Sequence, residues 1–153
     1  MSRIRLYDGP LSAEEVAALA CGEIPRTVCG TPGDDDITGT AADEIILAGA
    51  GDDTVDGGGG NDVIVGQDGG DVIVSTDGDD VLFGGPGVDA LSSGSGDDVL
   101  WGRGDADALS GEAGRDRLHG EAGADVLNGG GSRDSCVGGP GRDEYRRCER
   151  ERN

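Results

Sequence analysis

The sequence predicts an all-β solenoid, and three observations predict it. From Gly30 to Arg146 the chain is one nine-residue unit written thirteen times with no insertion or deletion. The sixth place of every unit is an acid, Asp in twelve and Glu44 in the other. The eighth place alone is apolar nearly throughout: Ile37, Ile46, Val55, Ile64, Ile73, Leu82, Leu91, Leu100, Leu109, Leu118 and Leu127, then Cys136 and Tyr145. A short fixed period marks a chain that coils along one axis, with each unit touching only its neighbours.

Each part of the unit has a local reason. The first four places are mostly glycine, which enters left-handed backbone angles and lets carbonyls crowd together, so they make a tight turn. Places seven to nine make a strand of about three residues whose side chains alternate, with place eight inward and places seven and nine outward. Nine residues reverse the chain and eighteen return it to the start of the next coil. Two parallel sheets then stack over a single layer of place-eight side chains, with turns aligned along both edges and right-handed crossovers. About seven coils at roughly 4.8 Å each give a rod on the order of 30 Å long.

Burial alone does not hold such a rod. One aliphatic side chain per nine residues is little apolar surface against the entropy of ordering a glycine-rich backbone. The chain also carries 32 acids against 12 basic residues, all arginine, for a net charge of −20, so the compact chain repels itself. A cation has to complete the structure. Calcium suits the donors: it takes six to eight oxygens and tolerates irregular geometry. A place-six carboxylate, its counterpart eighteen residues on and turn carbonyls from both coils supply that shell. Magnesium demands a stricter octahedron and keeps its water. Zinc favours Cys and His, and the single His119 stands at an outward place nine.

The pattern GGxGxDxUx resembles the repeat-in-toxin (RTX) calcium-binding nonapeptide of secreted bacterial toxins, proteases, lipases and epimerases. The resemblance covers 117 of the 153 residues. It implies a parallel β-roll with several calcium ions between successive turns on each edge, disordered without metal and folded after export. Carried onto this chain, it implies ligands at Asp53, Asp62, Asp71, Asp80, Asp89, Asp98, Asp107, Asp116 and Asp125, with Asp35, Asp134 and Asp143 at the ends of the array. Thirteen turns create at most about eleven sites between turns, six on one edge and five on the other. The units that depart from the pattern at Ala42 and Glu44, at Asp105 and at Ser132 are expected to hold calcium less well. At place five the acids Asp34, Asp43, Asp52, Asp79 and Asp97 give way to Arg115, Arg133 and Arg142. These read as a solvated surface, with the offsetting of carboxylate repulsion as the alternative.

The flanks divide the chain into residues 1–20, a cap over 21–29, the repeats over 30–146, and a C-terminal cap and tail over 147–153. Cys21 and Cys29 bracket a degenerate unit whose Val28 falls at place eight, and Cys136 and Cys148 bracket the last unit and the tail. Two local pairs at opposite ends of a solenoid read as disulfides, Cys21–Cys29 and Cys136–Cys148, formed in an oxidising compartment. A zinc site is the alternative, but almost the whole rod separates the pairs. The caps resemble those of cysteine-capped secreted members of the family.

Residues 1–20 are different. Ser12 and Glu15 form a capping box ahead of Val16, Ala17 and Leu19, which predicts a short helix over 13–20. Before it, Arg3 to Tyr7 alternates like a strand ending at Asp8-Gly9-Pro10. This segment resembles the closing strand and helix of laminin-G-like jelly-roll domains, which implies the end of an upstream domain; a private cap for the roll is the alternative. Neither a signal peptide nor a membrane-spanning stretch is present in the sequence.

Motifs for catalysis are missing: there is no HExxH, GxSxG, GxGxxG or P-loop. An acid repeated thirteen times is better explained by metal ligation than by acid–base chemistry. The negative charge disfavours nucleic acid, although Arg142, Arg146, Arg147, Arg150 and Arg152 make one basic end. The reading is a non-enzymatic, calcium-binding, calcium-folded module of a secreted protein. A carbohydrate, surface or protein binding module, or the noncatalytic end of a secreted hydrolase or lyase, is the alternative. The outer faces also differ. Even units carry Ile45 and Leu47, Val63 and Val65, Val81 and Phe83, Val99 and Trp101 at places seven and nine, whereas odd units mostly carry polar or small residues. Such a stripe predicts an interaction surface centred on Phe83 and Trp101, for the helix over 13–20, a neighbouring domain or a second copy.

Overall fold

The computed structural model describes residues 26–150. These residues form two parallel sheets and no helix. The eight-stranded sheet contains β1 (Thr27–Cys29), β3 (Ile45–Ala50), β5 (Val63–Asp68), β7 (Val81–Pro86), β9 (Val99–Gly104), β11 (Arg117–Ala122), β13 (Ser135–Val137) and β15 (Glu149–Arg150), in that spatial order. The seven-stranded sheet contains β2 (Asp36–Thr40), β4 (Thr54–Gly58), β6 (Val72–Val74), β8 (Ala90–Ser92), β10 (Ala108–Ser110), β12 (Val126–Asn128) and β14 (Glu144–Arg146). Odd and even units therefore separate onto opposite sheets, because a nine-residue step reverses the chain and the next nine bring it back.

The register is eighteen residues throughout the repeats: Ile46 pairs with Ile64, Ile64 with Leu82 and Leu82 with Leu100. Every place-eight residue from Ile37 to Cys136 is buried in one continuous core. That core is a single layer thick. Val28 packs against one end of it and Tyr145 and Cys148 against the other, so the described residues before Gly30, Thr27–Cys29, continue the coil. The expected three-residue strands occur on the seven-stranded sheet from β6 on, where β2 and β4 run five residues, but five strands of the opposite sheet, β3, β5, β7, β9 and β11, run six residues, on into the following turn.

The C-terminal end departs from the repeat. Arg147 takes a left-handed conformation (φ 52°), the step shortens, and β15 pairs Glu149 with Ser135 across fourteen residues instead of eighteen. Cys148 thereby reaches Cys136, and the two form the expected disulfide with Cα atoms 5.7 Å apart. The bridge pulls the tail over the last core residue. Cys29 is also disulfide-bonded; the pairing assigned to it involves Cys21, which lies outside the described residues, as do the strand over 3–7 and the helix over 13–20. No helix among the described residues is long and apolar enough to cross a membrane.

Candidate metal centre

The turns along the two edges are built by backbone conformation before any side chain acts. From the third unit on, places two and four take positive φ in most turns, as at Gly85 (143°) and Gly87 (135°). Each place-four carbonyl then points along the rod at place four of the next coil, so that a Cβ at Gly69, Gly87 or Gly96 would overlap the carbonyl oxygen of Gly51, Gly69 or Gly78. Among the described residues, the place-four carbonyls of these interior turns accept no backbone hydrogen bond. Where the pattern lacks glycine the chain keeps the conformation at a cost: Asp105 (φ 69°) and Ser132 (φ 81°) are left-handed at place four. Gln67, Arg103, Glu112 and Glu121 are left-handed at place two.

The acids form two ladders. Asp53 Oδ1 accepts the backbone N–H of Asp35 at 2.8 Å, Asp71 Oδ1 that of Asp53 at 2.9 Å, and the series continues through Asp89, Asp107, Asp125 and Asp143. On the other edge Asp62 Oδ1 accepts from Glu44 at 2.8 Å, followed by Asp80, Asp98, Asp116 and Asp134. The second oxygen has no such partner. Oδ2 of Asp53, Asp62, Asp71, Asp80, Asp89, Asp98, Asp107, Asp116, Asp125 and Asp134 is buried without a hydrogen bond. It lies over the place-one Cα of its own turn, where a Cβ at Gly66, Gly84 or Gly102 would overlap the Oδ2 of Asp71, Asp89 or Asp107. Place-one glycine is therefore the cradle for that oxygen. Ala48, Ser75 and Ser93 replace it in three units.

An ionised carboxylate buried with one oxygen unpartnered is costly, and it can either take a proton or a cation. Burial pushes the Asp107 carboxyl up to about 7, with Asp89 and Asp125 on the same edge pushing the same way. It pushes Asp62, Asp89, Asp98 and Asp116 up to about 6. Asp71, Asp80 and Asp125 rise for the same reason.

The first turn on each edge is closed differently. Asp35 Oδ2 accepts the Thr31 N–H at 2.5 Å and the Thr31 hydroxyl at 3.0 Å. Glu44 Oε2 accepts the Thr40 N–H at 2.9 Å, and the Thr40 hydroxyl donates to its Oε1. Neither turn contains a residue with positive φ. A place-two threonine thus supplies from the protein the donors that the interior acids lack. The sequence reading singled out Glu44 as a departure but gave Thr31 and Thr40 no role; a place-two hydroxyl is not a sufficient signal, because Thr76 stands at the same place and donates to the Gly58 carbonyl while Asp80 Oδ2 stays without a partner.

A second, exposed ladder runs at place five, with the opposite polarity. Asp43, Asn61, Asp79 and Asp97 each accept the place-five N–H of the following coil, and Arg115 ends the series. Arg115 Nη2 also meets Asp97 Oδ2 at 2.6 Å, which holds the Asp97 carboxyl below its ordinary range. On the other edge the same ladder stops at Gly70, which has no side chain to pass it on.

Among the described residues no three His, Cys, Asp or Glu side chains converge on one point, so a metal site here has to combine carboxylate with carbonyl. The two meet at Gly123, where a Cβ would overlap the Asp105 carbonyl oxygen and lie 2.8 Å from Asp125 Oδ1. All-oxygen donors, partly carbonyl, with buried negative charge left over suit a hard cation of flexible coordination. The model for the RTX calcium-binding nonapeptide repeat matches the chain in four copies, over residues 30–64, 65–100, 83–118 and 110–145. No curated protein matches it.

Proposed function

From a chain that belongs to the family of RTX calcium-binding nonapeptide repeats, and so binds multiple calcium ions on a parallel β-solenoid, we propose that it is a module of a secreted protein whose folding is triggered by calcium outside the cell. The observation that carries this reading is the set of ten buried aspartate oxygens with no partner. Calcium between successive coils satisfies them and removes the repulsion that a charge of −20 imposes on the closed rod. The ligands are Asp53, Asp62, Asp71, Asp80, Asp89, Asp98, Asp107, Asp116, Asp125 and Asp134, together with turn carbonyls. Asp35 and Asp143 sit at the ends of one ladder, and Asp35 already has its second oxygen filled by Thr31.

Weak extracellular calcium modules bind at roughly 10⁻⁴ to 10⁻³ M, so the chain stays open where calcium is scarce and closes where it is plentiful. Cystine caps at Cys136–Cys148 and at Cys29 fit an oxidising compartment. The role is structural and non-catalytic. The test is far-UV circular dichroism of the purified chain in chelator, then in millimolar calcium or equal magnesium. Conversion from disorder to β structure with calcium alone is expected, and a spectrum indifferent to chelator overturns the reading.

A further inference from the structure

Calcium accounts for ten buried aspartate oxygens, but one more buried oxygen stands among them. Ser75 opens unit six at place one, is only 2% exposed, and its Oγ has no hydrogen-bond partner. The place does not call for a hydroxyl, since Ala48 holds it in unit three with a methyl group that packs into the core. Nor does it deny a hydroxyl a partner. Ser93, at the same place one coil further along the same edge, donates its hydroxyl to the Gly111 carbonyl at 3.2 Å. Ser75 makes no such bond to the Ser93 carbonyl.

The Ser75 hydroxyl reaches toward the preceding coil. A Cβ at Gly57 would lie 3.2 Å from Ser75 Oγ and 3.1 Å from Asp62 Oδ2, so the two oxygens flank one point at the join of units four and six. Asp62 Oδ2 is buried without a partner, and so is Oδ2 of Asp80 in the same turn as Ser75. Across that join the Gly60 carbonyl faces Gly78, where a Cβ would lie 2.0 Å from its oxygen, and among the described residues it accepts no backbone hydrogen bond. Three buried side-chain oxygens of a single join therefore have no donor in the protein.

We propose that Ser75 is a calcium ligand, its Oγ joining Asp62, Asp80 and the Gly60 carbonyl around the ion between units four and six. The assignment rests on the calcium reading above and adds a residue type that the repeat does not use, because place one of the pattern is glycine. A hydroxyl suits the position. Its lone pairs are hard, neutral donors that fit beside carboxylates in a calcium shell, and its proton can turn to a carboxylate oxygen at the same time. It enlarges the shell without adding to a net charge of −20. Without the ion, a hydroxyl and two carboxylates lie buried together and unsatisfied, which is costly for each of them.

The test uses the full chain, with calcium ions retained per chain counted by native mass spectrometry through a calcium titration and circular dichroism recorded alongside. Ser75→Ala removes only the oxygen. Ser93→Ala is the control, because that hydroxyl already has a carbonyl. At the parent's half-saturating calcium, Ser75→Ala should retain one ion fewer, and its folding midpoint should rise about twofold, while Ser93→Ala matches the parent in both. A Ser75→Ala chain equal to the parent in count and midpoint overturns the proposal, as does an equal loss in the two variants. So does a Ser75→Ala chain that melts earlier in saturating calcium while keeping count and midpoint, since its hydroxyl then serves only the protein. Failure of the calcium reading itself shows separately, in a parent that retains no calcium or folds in chelator.

Discussion

Asp35 and Asp89 occupy the same place in their units, yet the second oxygen of Asp35 accepts two hydrogen bonds from Thr31 while that of Asp89 is buried and accepts none. The two turns differ in backbone as well, since Gly85 and Gly87 are left-handed and nothing between Gly30 and Asp34 is. One repeat thus supports two ways of neutralising a buried acid. The first turn on each edge closes on protein donors and gives the rod a beginning; the interior turns leave the acid open and depend on an ion from outside. The difference teaches that calcium dependence here is set by the turn conformation, and not by the acid alone: Thr76 also stands at place two, but in a turn with a left-handed Gly78, and it leaves Asp80 Oδ2 open.

The largest test of that contrast is removal of the ion. In chelator, amide exchange should become fast across units three to twelve, and the calcium-loaded chain should recover protection there. Retained protection of the interior coils in chelator would falsify the contrast. Next in size is the backbone. Gly87 has φ of 135° and a Cβ there would overlap the Gly69 carbonyl, whereas a Cβ at Gly33 meets nothing within 4 Å. Thermal melts in calcium should show Gly87→Ala losing about 2–4 kcal/mol and Gly33→Ala unchanged. Equal losses would mean that the turns share one conformation in solution.

Single ligands come third. Asp107→Asn should raise the calcium midpoint of folding about threefold or more, and Asp35→Asn should leave it in place, because only the first removes an oxygen waiting for metal. A matched shift in both variants would put a site at the first turn. Protons provide the fourth test. The folded carboxyls of Asp62, Asp89, Asp98, Asp107 and Asp116 are pushed up to about 6 or 7 from an ordinary value of 3.8. The folded chain thus binds more protons than the unfolded chain between those limits. Stability of the metal-free rod is greatest below pH 3.8 and is lost as pH rises through 6 to 7. The disordered chain holds no such protons at pH 6, so the chelated chain should gain β structure in circular dichroism as pH falls toward 3.8, and a chelated chain that stays disordered there would count against the buried acids. The smallest effect belongs to Arg115→Ala. Its ion pair with Asp97 is exposed, and the melt should be indistinguishable from the parent.

Much of this molecule was legible in its sequence because side-chain alternation and an unbroken period are properties of single positions. Leu82 is inward because it is place eight, and Asp89 sits on an edge because it is place six. The hydrogen bonds that distinguish turns were not legible in the same way, since they join residues eighteen apart or depend on which backbone angle a residue accepts. Gln67 and Glu112 are left-handed without being glycine, and nothing in their identity announces it. Thr31 and Thr40 read as surface residues until their turns are seen to close on Asp35 and Glu44. The stripe at Leu47, Val65 and Phe83 was read as a contact surface, but how deeply each of its residues is buried is a property of the packed cluster and not of its place in the unit. The fourteen-residue step to β15 was invisible because Arg147 ends the period without a glycine.

The eighteen-residue register also governs how such a chain can change length. Loss or duplication of eighteen residues inside the array leaves every later unit on its own sheet and rejoins both ladders, so it alters only the number of coils. Loss of nine keeps the reading of the unit intact but moves everything downstream to the opposite sheet. Where the loss falls between Phe83 and Trp101, Trp101 leaves the face they share and comes into register with Val74 on the other sheet. Parity is therefore inherited along with periodicity: gains and losses by whole coils are tolerated by the core and the edges alike, while odd steps preserve both and scramble the outside.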